Sequence, residues 1–461
     1  MSGAEIRPVA DLTAASPQPG SPAPATHVRY QVLAVACSLA LLTYVHRLGF
    51  GVGNNDIEAG LHLDDEQMSW LASAFLVAYA LFQVPGGLLG DWLGARHLLT
   101  ILVLGWSLLT AAVALAVVLP GPPVVALVFL LGVRFLFGMF QAGGFPILAR
   151  VQADWMPLRE RGRAQGMVWT FSRLGGAFVP FLFLWLFWLF GTWTTPFWIM
   201  GGLGVLWCAA FWPWFRNRPG QMKSVNEAEL ALIAAGRAVP VPQLGPVPWS
   251  QMATSVSVWS LSLMYGFVGF GGNFFTSLMP LYLGQKRHLV REEIMAISAV
   301  PLACGAVSCV LGGALSDRCV RAWGRKWGRR LIPSIGVTCA GLTLLSTLWA
   351  EDLWLLALLL GASFFFNDLM IGPAWAACAD IAERYAGTLS GGMNMLGSLF
   401  GAAGMAFAGH YFKQGRVELV FIVFACTYGC AGLCWMGVNA AKPLLAKPQN
   451  DCIQRAAPLS S

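Results

Sequence analysis

Twelve apolar runs of helix length, separated by short polar connections, order this chain. They predict spans at roughly 30–53, 67–90, 97–118, 124–149, 164–190, 196–215, 253–283, 294–316, 331–350, 353–378, 385–411 and 417–440. About 20 apolar residues cross a bilayer as a helix. Because lipid offers the backbone no partners, a spanning segment must be a helix or part of a closed barrel. Runs this long select helices, so the expected class is an all-α membrane protein. Composition agrees: 57% of residues are apolar and 11% charged, against about 25% charged in a soluble globule. No soluble domain of useful size is left between the runs.

The basic residues then set an orientation. With the termini and the even-numbered connections on one side, that side holds 21 Lys and Arg residues and the other side 5. The expectation is a multi-pass protein of the inner (plasma) membrane with both termini cytoplasmic. The net charge of +7 is thus a topology signal, with no nucleic-acid partner implied. Residues 1–29, rich in Pro, read as a disordered cytoplasmic tail, and residues 441–461 as a second tail. Cys37 follows Ala34-Val35-Ala36, but the apolar run before it is too short for a lipoprotein signal. Eleven cysteines fall in spans or on the cytoplasmic side, so no disulfide is expected. Cys426, Cys430 and Cys434 read as small packing residues on a helix face and not as a metal site.

The chain repeats itself at an offset near 226 residues. Gly87-Leu-Leu-Gly90-Asp91-Trp-Leu-Gly94-Ala-Arg96 follows the second span, and Gly313-Ala-Leu-Ser316-Asp317-Arg318 follows the eighth. Gly144-Phe-Pro146 answers Gly372-Pro373, and Ala153-Asp154 answers Ala379-Asp380. Residues 216–252, polar and Pro-dotted, form a cytoplasmic linker between the bundles 30–215 and 253–440. Six spans, a linker and six spans is the layout of a carrier whose bundles rock about a central site. Gly87, Asp91, Gly94, Arg96, Asp317 and Arg318 are structural and gating candidates. Each Asp follows a helix end, where it can accept from N–H groups at a neighbouring helix N-terminus and pair with an Arg. That contact forms when the cytoplasmic side closes. The bland alternative is a tight turn carrying positive-inside charge.

These stretches resemble the major facilitator superfamily. The Gly87-to-Arg96 decapeptide is similar to its signature loop, and Arg134-Phe-Leu-Phe-Gly138 to its fourth-helix motif. Further segments resemble the anion:cation symporter branch: Tyr44-x-x-Arg47, Phe82-Gln83-Val84-Pro85-Gly86-Gly87, Gln141-Ala-Gly-Gly-Phe-Pro146, Asp154-Trp-Met-Pro157, Met279-Pro-Leu-Tyr282-Leu, Gly372-Pro-Ala-Trp375 and Gly392-Met-Asn394. The branch includes galactonate, glucarate and hexuronate carriers, sialin and vesicular glutamate carriers. The resemblance implies twelve transmembrane helices in two six-helix bundles. It also implies secondary transport of a small organic anion, a sugar acid or similar carboxylate, by alternating access. The branch's first helix reads Tyr-x-Asp-Arg, where this chain has His46. Its fourth helix carries a Glu where this chain has Gln141. Both usual proton-carrying carboxylates are replaced.

Charged and polar residues inside the spans are the candidate chemistry. Arg47 keeps its charge at any ordinary pH and costs roughly 2.5–3.5 kcal/mol at a helix centre. It reads as a bidentate clamp on a carboxylate, or else as an internal ion pair or a snorkeller. Tyr44, on the same helix face, is a hydroxyl donor or an interfacial aromatic. Arg173 is a second anion ligand. Gln141, Asn273 and Asn394 are cavity amides or helix–helix hydrogen bonders. His46 and Asp368 are the proton-coupling candidates, Asp368 equally a counter-ion to a buried Arg. Arg134, by the family resemblance, packs against the first helix and supports it, the alternative being contact with cargo. Trp193, Trp198, Trp212, Trp214, Trp349 and Trp354 read as an aromatic belt. The basic run Arg318 to Arg330 reads as topology and lipid headgroup contact. With no phosphate loop, metal-ligand spacing or Ser/His/Asp set, neither an enzyme nor a cofactor is expected. The expected partners are the anion, protons as a candidate, and lipid, with the chain acting as a monomer. A facilitator, exchanger or efflux carrier for another organic anion is the alternative, and a non-transporting membrane sensor a remote one.

Overall fold

Each helix begins and breaks where local chemistry asks for it. The structure is a computed structural model describing residues 24–235, 246–279, 282–284 and 289–444. Most of both expected tails, linker residues 236–245, Pro280-Leu281, and Lys286 and Arg287 lie outside the described residues. The first bundle comprises α1 (Val28–Val52), α2 (Asn54–Leu61), α3 (Asp65–Leu81), α4 (Gln83–Leu93), α5 (Ala95–Val113), α6 (Pro123–Ala142), α7 (Gly144–Trp155), α8 (Arg161–Phe190) and α9 (Thr194–Trp214). Asp64 caps α3 by accepting from the Gln67 N–H, and the Gln67 side chain returns the bond, a capping box. Gly94 ends α4 at φ 80°, a left-handed turn that favours glycine.

The linker carries α10 (Glu227–Ala234) and α11 (Trp249–Thr254). The second bundle comprises α12 (Val256–Asn273), α13 (Arg291–Gly328), α14 (Leu331–Ser346), α15 (Leu353–Asp368), α16 (Ile371–Ala382), α17 (Ala386–Lys413) and α18 (Val417–Gly437). A π turn, Phe274–Leu278, follows α12.

Among the described residues, nine helical stretches are long and apolar enough to cross a membrane. There are ten when α3 and α4 are taken as one path bent by 47°. The expected tenth and eleventh spans share one of these stretches, Leu353–Lys413, which is 61 residues long. The expected seventh begins with the 18 residues of α12 and runs on into the π turn.

Three paths break inside the bundles: at Phe82 between α3 and α4, at Gly143 between α6 and α7, and at Leu369–Met370 between α15 and α16. Pro85, Pro146 and Pro373 follow these breaks, each lacking the N–H that would continue the helix. Gln83 opens the helix after its break, while Gln141 and Asp368 stand just before theirs. The breaks therefore gather polar side chains at the bundle interior.

The bundles meet backbone to backbone on glycine. A Cβ on Gly87 (α4) would collide with the Gly387 carbonyl (α17), and one on Gly313 (α13) with the Gly162 carbonyl (α8). These two contacts are related by the internal repeat. Elsewhere the outer faces are apolar: Trp185, Trp188, Trp198, Trp212, Trp349 and Trp354 are exposed. Cys426 and Cys430 are exposed on α18, so they face outward and do not pack against a neighbouring helix.

Candidate functional site

Arg47 sits late in α1 with part of its surface accessible. Its Nε donates to Gln141 Oε1 at 2.8 Å, and Gln141 Nε2 donates to the Thr43 carbonyl at 3.1 Å. Gln141 is 0% exposed. Where the branch places a Glu, this neutral amide holds the guanidinium without discharging it. The rings of Tyr79, Tyr44 and Phe75 lie 4.3, 5.2 and 5.8 Å from the guanidinium carbon. Nη2 is buried with no hydrogen-bond partner, and no carboxylate among the described residues forms an ion pair with Arg47.

Phe75 is shared with a second cation. Arg134 is buried, with its guanidinium carbon 4.2 Å from the Phe50 ring of α1 and 4.8 Å from Phe75. Its Nε also lacks a partner. Cation–π contacts hold both guanidinium groups, but they supply no negative charge.

Arg173 is different. Its Nε and Nη2 donate to Asp368 Oδ2 and Oδ1 at 2.8 and 3.0 Å, a fork-on-carboxylate pair joining α8 to α15. Asp368 also accepts from Asn367 Nδ2 at 2.9 Å, and Tyr428 fixes Asn367 from α18. Asp368 is 0% exposed, whereas the Arg173 side chain keeps 11%. Tyr44 lies beside this pair: its ring rests on Gly176, one turn beyond Arg173. The charges of both Arg173 and Arg47 act on its hydroxyl.

The other side chains divide between the site and the scaffold. Asn394 donates to the Tyr79 hydroxyl at 3.3 Å, across the bundles. Trp375 donates to the Tyr265 hydroxyl at 3.2 Å, and Trp169 stacks on Phe145 beside it. Asn273 packs against Gly401 of α17, inside the second bundle. His46 corrects an expectation. It is buried, faces α9, and lies 2.8 Å through Nε2 from the Met200 carbonyl. A carbonyl can only accept, so Nε2 carries the hydrogen and Nδ1 is left without a partner. One residue of helix turns His46 away from the face that bears Arg47, so a proton-carrying role at the site is withdrawn.

At one end of the bundles, both motif aspartates cap a helix of the opposite bundle. Asp91 accepts from the Gly387 and Thr388 N–H groups at 3.1 and 2.7 Å and from the Thr388 hydroxyl at 2.7 Å. Asp317 accepts from the Gly162 and Arg163 N–H groups at 3.0 and 2.7 Å. Their arginines are not the adjacent ones. Asp91 lies 3.7 Å from Arg150, while Arg96 donates to the Trp212 carbonyl and stacks on that indole. Asp317 pairs with Arg329 at 2.7 Å, and Arg318 is exposed. Arg329 also grips Asp380 at 3.0 Å, and Arg161 reaches the same carboxylate at 2.9 Å.

The reading of the whole 318–330 run as headgroup contact is therefore corrected, since Arg329 is fully buried in this network. Sequence reasoning also missed Arg150, Arg161, Tyr79 and Tyr265. The repeat of Asp154 at Asp380 was the available signal for the network.

A cavity of about 650 Å³ lies between α1 and α8, lined by Tyr30, Leu33, Cys37, Arg163, Met167 and Phe171 among others. It is mostly apolar and stands on the N-terminal side of Arg47 along α1, away from the central polar cluster.

Comparison with known proteins follows this geometry. The chain is 28% identical to a probable sulfoacetate transporter of Cupriavidus necator, over 92% of this chain and 96% of that one. It is 28% identical to a probable galactarate/D-glucarate transporter of Escherichia coli K12, over 82% and 85%. It is 26% identical to a D-galactonate transporter of Escherichia coli O6:H1, over 84% and 90%. Among solved structures, a proton:xylose symporter shares the fold at a TM-score of 0.67 and 14% identity, covering 88% of this chain and 94% of that one. The model of the Major Facilitator Superfamily matches residues 33–405, and this chain belongs to that superfamily.

Proposed function

We propose that this protein carries a small organic anion, a sugar acid or similar carboxylate, across the inner membrane by alternating access. One observation carries the reading. Arg47 is a permanent cation among helices, held in place by a neutral amide, with a guanidinium nitrogen that nothing among the described residues accepts from. Such a group is costly unless an anion completes it. An incoming carboxylate can take two parallel N–H donors from Arg47. The Tyr44 and Tyr79 hydroxyls stand close enough to bind polar groups on the same molecule. Arg134, behind Phe75, adds a second positive charge to the same region. The names of the three relatives support this reading, since all refer to transport of organic acids.

Alternating access is supported by the paired cytoplasmic latches, which join the bundles 30–215 and 253–440 through Asp91 and Asp317. In this reading Gly87, Gly94, Asp91 and Asp317 serve closure, both termini are cytoplasmic, and a monomer surrounded by lipid suffices.

The test is saturable uptake of galactarate, galactonate and sulfoacetate into proteoliposomes, for the native protein and Arg47→Gln. The native protein should take up at least one of them, and the variant should lose that uptake while keeping its melting temperature. Undiminished uptake by the variant would overturn the assignment of Arg47.

A further inference from the structure

The pair Arg173–Asp368 gives the site a second cation that is held by a carboxylate of the protein itself. Arg173 and Arg47 flank Tyr44 from the two neighbouring helices α8 and α1. Tyr44 rests on Gly176, and both helices run outward from the cytoplasmic side. Gly175 of α8 meets the Leu41 backbone of α1, with Arg47 six residues beyond Leu41 and Arg173 two before Gly175. Their backbone levels thus differ by about 12 Å at 1.5 Å rise per residue. Arg173 retains accessible surface and Asp368 has none, so a small probe reaches the arginine and not its carboxylate. From this arrangement we infer that the cargo is a dianion bridging Arg47 and Arg173, and that Asp368 takes up one proton as it yields Arg173 to the cargo.

The inference rests on the organic-anion reading and narrows it. In the exchange, the Arg173–Asp368 ion pair opens and Arg173 pairs with the second acidic group of the cargo. A proton from the aqueous side forms an O–H bond on Asp368. No other bond changes. The exchange is feasible because a buried ion pair adds little net stability over a neutral arrangement, whereas a lone buried carboxylate is strongly disfavoured. Protonation spares the protein that lone charge.

The titratable and charged groups facing Asp368 are Arg173 from α8, Cys309 from α13 (Sγ to Oδ2, 3.6 Å) and, more remotely, Tyr44 from α1. Tyr428 from α18 acts through Asn367. Of these only Arg173 is a cation, so no second protein cation holds Asp368 ionised once Arg173 turns to the cargo.

Galactarate and galactonate are suitable probes, because they share a carbon skeleton and differ in having two or one carboxylates. Calorimetric titration of the full chain in nanodiscs, in buffers of different ionisation enthalpy, reads affinity and proton uptake together. The expected result is galactarate binding about tenfold or more tighter than galactonate, with about one proton taken up per galactarate. Arg173→Gln should bring the ratio of the two affinities to about one. Asp368→Asn should keep the preference for galactarate and abolish the proton uptake. The double variant, a neutral pair, provides the folding control through its melting temperature.

Galactonate binding as tightly as galactarate would overturn the dianion inference and leave the organic-anion reading standing. So would an unchanged affinity ratio in Arg173→Gln, while unchanged proton uptake in Asp368→Asn would overturn the exchange. Failure of galactarate, galactonate and sulfoacetate alike to bind would remove both the carrier reading and this inference.

Discussion

The bundle interior and the face that carries the repeated Asp motifs hold their charges in opposite ways. Three arginines, Arg47, Arg134 and Arg173, share the interior with one paired carboxylate among the described residues, Asp368. At the motif face, Arg150, Arg161 and Arg329 meet Asp91, Asp154, Asp317 and Asp380, and each of these arginines lies against at least one carboxylate. A network in which every charge is paired stabilises one arrangement of the bundles. One with unpaired cations is completed by an anion. In the proposed function, the difference separates residues that close the protein from residues that bind cargo.

The strongest way to break this comparison is to unbalance the face. Asp317→Asn leaves Asp380 as the one carboxylate paired with Arg329 among the described residues and weakens the cap on α8. Losing one partner of a buried pair costs about 3–5 kcal/mol. The motif face should open, read as faster maleimide labelling of a single cysteine placed on the flank of α13 beside Asp317 in a cysteine-free background. Asp91→Asn should have a smaller effect in the same assay, since Arg150 is farther away and keeps Asp154 at 2.8 Å. Equal labelling of the two variants would remove the asymmetry between the latches.

Next in size is Arg47→Lys, which keeps the charge but loses the planar fork. Loss of one charge-assisted hydrogen bond costs about 1.5–3 kcal/mol, so cargo affinity should fall roughly tenfold or more while labelling at the motif face stays native. Gly313→Ala adds a Cβ against the Gly162 carbonyl. Overpacking of this kind costs about 1–3 kcal/mol, and it should favour the form open at the motif face without touching a charge. The same labelling assay decides it.

The smallest expected effect concerns the linker. Glu229 of α10 accepts from the Val28 and Arg29 N–H groups, capping α1 from 200 residues away, and also pairs with the Arg29 guanidinium at 3.0 Å. Burial alone would raise this carboxyl, but the Thr26 hydroxyl, the Arg29 side chain and these N–H groups together hold it below its ordinary value. A depressed folded-state pKa contributes stability that is present above the unfolded value and lost as pH falls through the folded one. Hydrogen exchange at residues 26–30 should therefore accelerate as pH drops below the ordinary carboxylate range, after correction for the intrinsic rate. In Glu229→Gln that extra acceleration should be absent.

Much of the architecture was legible before any contact was known. Span positions, the offset repeat and the depth of Arg47, Arg173 and Asp368 follow from the apolar pattern, because length and periodicity act along each helix. Asp91 and Asp317 were readable as caps from the repeated motif, although each lies inside a helix, α4 and α13, and not past a helix end as expected. The same pattern misassigned their partners, taking Arg96 and Arg318 where the fold uses Arg150 and Arg329. It also put His46 on a par with Asp368. Sequence by itself determined how deep each charge lies and on which stretch of helix. Only tertiary structure decided which helix face turns inward and which side chains some 200 residues apart meet, as Arg173 meets Asp368 while Arg47 does not. The physical reason is that depth is set by a local periodic constraint, whereas charge pairing depends on how helices rotate and pack against one another.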